Sequence, residues 1–174
     1  MTHTEYLDLV NKFDQVIGQA PRAWVHRNNW AHRASHLLIF NQEKKLFLQK
    51  RSPQKAIDPG RWDTSVGGHV DAGESYDACI YRETQEELGV EIAELRFWFK
   101  LDSVPTTFHE FMAVYYARHE GPFKLHPEEI TDGQWFTLAE IQQWLNERPD
   151  ELASSLRLIL QTLAEQPGLL EQIN

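Results

Sequence analysis

Apolar positions along this chain change their spacing several times, and each change marks an element. Residues 6–10 and 15–18 alternate around Asn11-Lys12-Phe13-Asp14, which predicts an N-terminal hairpin within residues 1–20. Stretches 36–40 and 45–50 predict stronger strands joined by a polar turn at 41–44. Asp58-Pro59-Gly60 breaks the chain before a short strand at 62–66, which Gly67-Gly68 is expected to end. Ser75 is a suitable N-cap for a helix running to Leu88 and stopped by Gly89. Strands follow near 93–102, 110–118 and 134–136, and Thr137 predicts the cap of a helix ending near Asn146. After Pro149, Asp150 is expected to cap a C-terminal helix over 150–165, with Leu152, Leu156, Ile159, Leu160 and Leu163 facing the core. No repeat, low-complexity tract or linker divides the 174 residues, so the expected organisation is one domain, 1–174. Strands surrounding one central helix predict a mixed α/β (α+β) sandwich.

That central helix carries the chemistry. At about 100° per residue, Glu83 and Glu87 lie about 40° apart, with Glu86 about 60° to one side. Cys79 and Ile80, one turn earlier, occupy the same sector. Carboxylates are thus placed on an arc that should face the core, where a lone charge costs several kcal/mol. Like charges at these spacings also repel by roughly 0.2–0.5 kcal/mol per pair. A divalent cation resolves both problems, so the stripe reads as a metal site.

Composition narrows the class without choosing a reaction. The formal charge is −9 and no basic stripe is present, which argues against a nucleic-acid polymer as partner. Cys79 is the only cysteine, so an intrachain disulfide is excluded and a reducing compartment is expected. No signal-like N-terminal stretch and no 18-residue apolar run occur, which predicts a cytoplasmic protein without a membrane partner.

Residues 68–90 are similar to the Nudix box, Gly-x5-Glu-x7-Arg-Glu-U-x-Glu-Glu-x-Gly-U with U apolar. The match falls on Gly68, Glu74, Arg82, Glu83, Glu86, Glu87, Gly89 and Val90. Thr84 stands at the first apolar position, a mild departure, because its hydroxyl can bond back to the preceding turn. The resemblance implies a Nudix α/β/α sandwich with a mixed β-sheet and a central loop-helix-loop motif. It implies a hydrolase that cleaves a nucleoside diphosphate linked to a group X, or another small diphosphate. Glu83, Glu86 and Glu87, helped by the Gly67 or Gly68 carbonyl, would hold one to three Mg²⁺ ions, with Mn²⁺ able to substitute. Arg82 and Glu74 would pin the loop to the helix. The base that activates water is expected to be Glu87, then Glu129 of the Glu128-Glu129 pair, then Glu110.

A second resemblance, to isopentenyl-diphosphate isomerase, a Nudix-fold enzyme, rests on three segments. They are His32-Arg33-Ala34, then Arg51-x3-Lys55-x3-Pro59-Gly60-x-Trp62 and Ser65-Val66-x-Gly68-His69. It implies that Arg51 and Lys55 grip the diphosphate, and that His32, His69 and Glu110 belong to a second metal cluster. His26 matches another histidine of that cluster loosely, and Phe108 stands where the isomerase has a further glutamate. Trp135 aligns with an active-site tryptophan of the isomerase and is expected to serve in core packing. Gly67 replaces the isomerase's cysteine, and Cys79 cannot stand in for it from within the helix. Carbon protonation needs an acid/base pair, and half of it is missing.

The expected protein is therefore a Mg²⁺-dependent hydrolase of a small-molecule diphosphate, with a homodimer open. The rivals are an isomerase or isoprenoid-diphosphate hydrolase, and a non-catalytic domain that senses a nucleotide.

Overall fold

The structure, a computed structural model, describes residues 4–173. Residues 1–3 of the expected hairpin segment, and residue 174 of the expected domain, lie outside it. Strands β1 (Tyr6–Val10) and β2 (Val16–Pro21) pair antiparallel as a small sheet of their own, and α1 (Arg22–Arg27) follows directly. Then come β3 (His32–Phe40), β4 (Leu46–Arg51), β5 (Trp62–Asp63), β6 (Val66–His69), α2 (Tyr76–Leu88), β7 (Leu95–Leu101), β8 (Glu110–Arg118) and β9 (Ile130–Phe136). Helices α3 (Leu138–Glu147), α4 (Ser154–Glu165) and α5 (Gly168–Glu171) complete the described chain.

The sheet is mixed because β3 runs parallel to β8 while its other pairings, with β4 and β6, are antiparallel. Alternation along β3 then sorts its side chains between two layers. Leu37 and Ile39 pack with Ile80 and Leu88 of α2. Leu38 and Phe40 pack with Ile141 and Trp144 of α3 and with Leu156 and Ile159 of α4. The result is an α/β/α sandwich. His32, Ala34 and His36 share the Leu38 face, opposite α2.

Helix α2 begins and ends on local signals. The Ser75 side chain accepts from Ala78 N, and Gly89 closes the helix at φ 63°, a left-handed conformation that costs glycine nothing. Thr84 Oγ1 donates to Ile80 O at 2.6 Å, so its polar group is satisfied inside the helix. Trp135 is half-buried and packs edge-on to Phe47.

Four expectations need correction. The strand at 62–66 is two pieces, broken at Thr64-Ser65, where Ser65 Oγ donates to Phe47 O and accepts from Ile39 N. Gly67 and Gly68 lie inside β6, paired with His36 and Ser35, rather than ending a strand. Asp150 does not cap the last helix; it sits in a 3-10 turn, Pro149–Glu151, and the 150–165 helix starts at Ser154. Asp58 accepts from Ser154 N at 2.8 Å and so caps α4 from across the molecule. Helix α1 was not expected at all, since six residues carry too little period to read.

Candidate functional site

A cavity of about 470 Å³ opens where the C-terminal half of α2 faces β6. Glu83, Glu86, Glu87, Arg82, Gly67 and Gly68 line one side of it. Arg51, Lys55 and Glu129 line another, and His69 and Glu110 a third. Glu74 and His32 stand behind the wall, each touching a residue that lines it.

The carboxylates are not equivalent. Glu87 is only 6% exposed, and its Oε2 accepts from Gln49 Nε2 at 2.7 Å and from Gly67 N at 3.3 Å. Burial, reinforced by the charge of Glu83, pushes its carboxyl up to about 8. Burial raises Glu83 to about 7, against the pull of Arg82. Glu86 projects outward, its side chain 57% exposed. Close approach explains Gly68: a Cβ there would fall 2.1 Å from the Glu83 carboxyl. Arg82 forks onto Glu74 with two 2.9 Å bonds and reaches Glu83 Oε1 at 2.8 Å and Glu86 Oε2 at 3.3 Å. Glu74 in turn accepts from Asp71 N at 3.0 Å, which ties the loop before α2 to the helix.

Glu83 and Glu87 offer hard carboxylate oxygens, the donor type that Mg²⁺ takes, and Glu87 is buried with its carboxyl raised. A cation would relieve the burial penalty that two amide bonds only partly offset.

Three imidazoles form a second group. Ligand atoms of His26, His32 and His69 all lie within 4.8 Å of one another. His32 Nδ1 faces Trp30 O at 2.9 Å and donates to it. Among the described residues His32 Nε2 has no hydrogen-bond partner; it lies 3.7 Å from Glu110 Oε1, while His69 Nε2 lies 3.2 Å from the same oxygen. Burial pulls His26 and His69 down to about 4. Burial alone would raise the Glu110 carboxyl, but the His32 and His69 edges facing it hold it well below the usual range. Unpartnered imidazole nitrogens beside a carboxylate are the donor chemistry of a first-row divalent cation. His26 enters only because α1 brings it there.

Arg51 and Lys55 are not a solvated edge. Arg51 donates to Asp63 Oδ2 at 2.9 Å and to Ile57 O at 3.1 Å, and its side chain is 15% exposed. Lys55 pairs with Glu129. Among residues the sequence did not single out, Gln49 holds Glu87, Asp63 holds Arg51, and His36 lines the cavity. Gln49 carried no signal. His36 interrupts an apolar strand, a pattern that reads as a satisfied core histidine.

Metal titration separates the two groups. At pH 6, Glu83 and Glu87 hold protons that a cation must displace, so affinity at the glutamates should rise by roughly 10²-fold between pH 6 and 8. His26 and His69 have already lost theirs at pH 6, so uptake at the imidazoles should change less over that range than uptake at the glutamates. Calorimetry at the two pH values, in buffers of different ionisation heat, reads both affinity and protons released. A pH-independent affinity at the glutamates would overturn this account.

The NUDIX domain family matches residues 30–157. A Deinococcus radiodurans protein named Nudix hydrolase is 38% identical over 136 residues, spanning 76% of this chain and 79% of its own. A Photorhabdus laumondii protein named isopentenyl-diphosphate Delta-isomerase 2 is 28% identical over 166 residues, spanning 93% of this chain and 94% of its own. The crystal structure of a Deinococcus radiodurans protein superposes with a TM-score of 0.80 at 31% identity, over 91% of this chain and 98% of that one.

Proposed function

The chain belongs to the Nudix family, and on that premise we propose that it is a Mg²⁺-dependent hydrolase of a small diphosphate, of the type nucleoside diphosphate linked to X. The observation that carries this reading is the buried Glu87 carboxyl beside Glu83, in a cavity that also presents Arg51 and Lys55. Glu83, Glu86 and Glu87, with the Gly67 or Gly68 carbonyl, would hold Mg²⁺, for which Mn²⁺ can substitute. When bound, the metal neutralises the diphosphate and lowers the pKa of water near phosphorus. His26, His32, His69 and Glu110 would hold a second divalent cation.

The chain's own groups do the rest. Arg51 and Lys55 bind diphosphate oxygens by charge-assisted bonds. Arg82 and Glu74 fix α2 against the loop, so that the carboxylates keep their relative positions. Water adds to one phosphorus, the bridging P–O bond breaks, and the water proton passes to a carboxylate. Glu87 is the first candidate for that base, followed by Glu129 and Glu110. No helix of the described residues is long and apolar enough to cross a membrane, and the protein is read as cytoplasmic.

The isomerase reading is the specific rival, because relatives carrying that name match nearly the whole chain. Position 67 opposes it. A Cβ at Gly67 would lie 2.8 Å from His36 Nδ1, so the space a cysteine would need is filled by imidazole. The purified protein should release phosphate or a mononucleotide from members of a diphosphate panel only with Mg²⁺ or Mn²⁺. It should leave isopentenyl and dimethylallyl diphosphates uninterconverted. Chelator-sensitive isomerisation would falsify this; binding without metal-dependent release would leave a sensing domain instead.

A further inference from the structure

Gln49 is the polar side chain that the packing of β4 does not explain. Phe47, two residues earlier on the same strand face, packs with Ile80 and Leu88 of α2. An apolar residue at the next position of that face would continue the layer, yet Gln49 stands there at 3% exposure. Burying an amide costs free energy unless its groups are bonded. The strand holds it firmly, since Gln49 lies in register with Asp63 of β5 and Gly133 of β9.

The amide can point only one way. Its Nε2 donates to Glu87 Oε2 at 2.7 Å and to Ser65 O at 3.3 Å. Both neighbours present acceptor oxygens when Glu87 is ionised, so the carbonyl end of the amide could not take the place of the NH2 group. Glu87 Oε2 also accepts from Gly67 N at 3.3 Å. A carboxylate oxygen has two lone pairs, and these two donors take both. Both hydrogen bonds of Glu87 thus fall on Oε2, and Oε1 is the oxygen left to face the cavity that Glu87 lines. Unlike the orphaned imidazole nitrogens, Oε1 is not sealed from solvent.

We propose that Gln49 is a positioning residue that sets the choice of cation: by filling Glu87 Oε2 it leaves one oxygen for the metal, and so favours Mg²⁺ over Ca²⁺. This rests on the Mg²⁺-hydrolase reading and adds how the site tells one hard cation from another. Ca²⁺ takes about six to eight oxygens in flexible geometry and readily accepts both oxygens of one carboxylate. Mg²⁺ is smaller, demands near-octahedral geometry and keeps several waters, which a carboxylate bound through one oxygen permits.

The test is calorimetric titration of the whole protein, free of substrate, with Mg²⁺ and with Ca²⁺ at one pH. Both ions displace the same protons there, so the ratio of their affinities isolates coordination. Neither is drawn to the imidazole group, because hard cations prefer oxygen. Gln49→Leu keeps most of the side-chain bulk and frees one lone pair of Oε2. The Mg²⁺/Ca²⁺ affinity ratio should then fall by roughly 10-fold, the scale of one hydrogen bond to a charged group. Gln49→Met, unbranched and closer in shape, should give the same fall and stands in if the leucine variant does not fold. A merely structural Gln49 would loosen the site for both ions alike and leave the ratio at its parental value. That result overturns the proposal, as does a ratio that rises. Binding of both ions with an unmoved ratio defeats the Gln49 assignment alone, whereas a parent protein that binds neither ion defeats the Mg²⁺ reading beneath it.

Discussion

Glu87→Gln should turn over its best diphosphate substrate at least roughly 10²-fold more slowly than the parent, a barrier increase of about 2.7 kcal/mol. Glutamine keeps the shape of the side chain and removes the charge that would bind metal. Glu86→Gln should lose turnover on the same scale, but the two variants should part in stability. Glu87 is buried with its carboxyl raised, whereas Glu86 is open to solvent. A raised carboxyl favours the folded protein below its unfolded value of 4.5, and that advantage is lost as pH rises to about 8. Without metal, the parent should therefore lose stability across that window, and Glu87→Gln should lose less. Glu86→Gln should follow the parent. Adding Mg²⁺ at 100 times its Kd should stabilise the parent by about 2.7 kcal/mol and Glu87→Gln by much less. The same series distinguishes base from ligand: a base loses kcat with metal affinity kept, and a ligand loses both. Near-parental turnover in both variants would end the assignment of metal to this helix.

Helix α2 was legible to the residue because its determinants are local. Ser75, the stripe and Gly89 lie within one segment, and nothing distant is needed to place them. The sandwich followed from the strands on either side, and β8 was readable from its apolar run, Glu110–Arg118. What escaped depends on partners far along the chain. The cap of α4 comes from Asp58, 96 residues before Ser154, so Asp150 looked like the nearer choice. Two adjacent glycines suggested a break, yet β6 continues through them because Glu83 and His36 need the space above each. The gathering of His26, His32 and His69 needs a short helix and two strands to meet, which spacing does not encode.

Arg51→Ala should lower kcat/KM by roughly 10- to 150-fold, the loss of one charge-assisted bond worth about 1.5–3 kcal/mol. The structure adds a second consequence. Arg51 also neutralises Asp63, which is 3% exposed, and removing one partner of a buried pair costs about 3–5 kcal/mol. Asp63 keeps bonds from Ser155 Oγ and Thr64 N, so the lower end of that range applies. Arg51→Lys separates the two effects. An ammonium still offsets the Asp63 charge and should restore most of the stability, but it cannot give one face to Asp63 and another to a diphosphate. Its kcat/KM should remain well below the parent. Lys55→Ala should change stability by less than about 1 kcal/mol, because its partner Glu129 is partly exposed and can return to water. Its cost should appear in substrate capture, and rising salt should weaken the parent more than the double alanine variant. Unfolding curves, together with kcat/KM at two ionic strengths, read all of these. If the double variant keeps parental kcat/KM on the best substrate, Arg51 is a structural partner of Asp63 and Lys55 of Glu129. The diphosphate would then be held by metal and α2 alone.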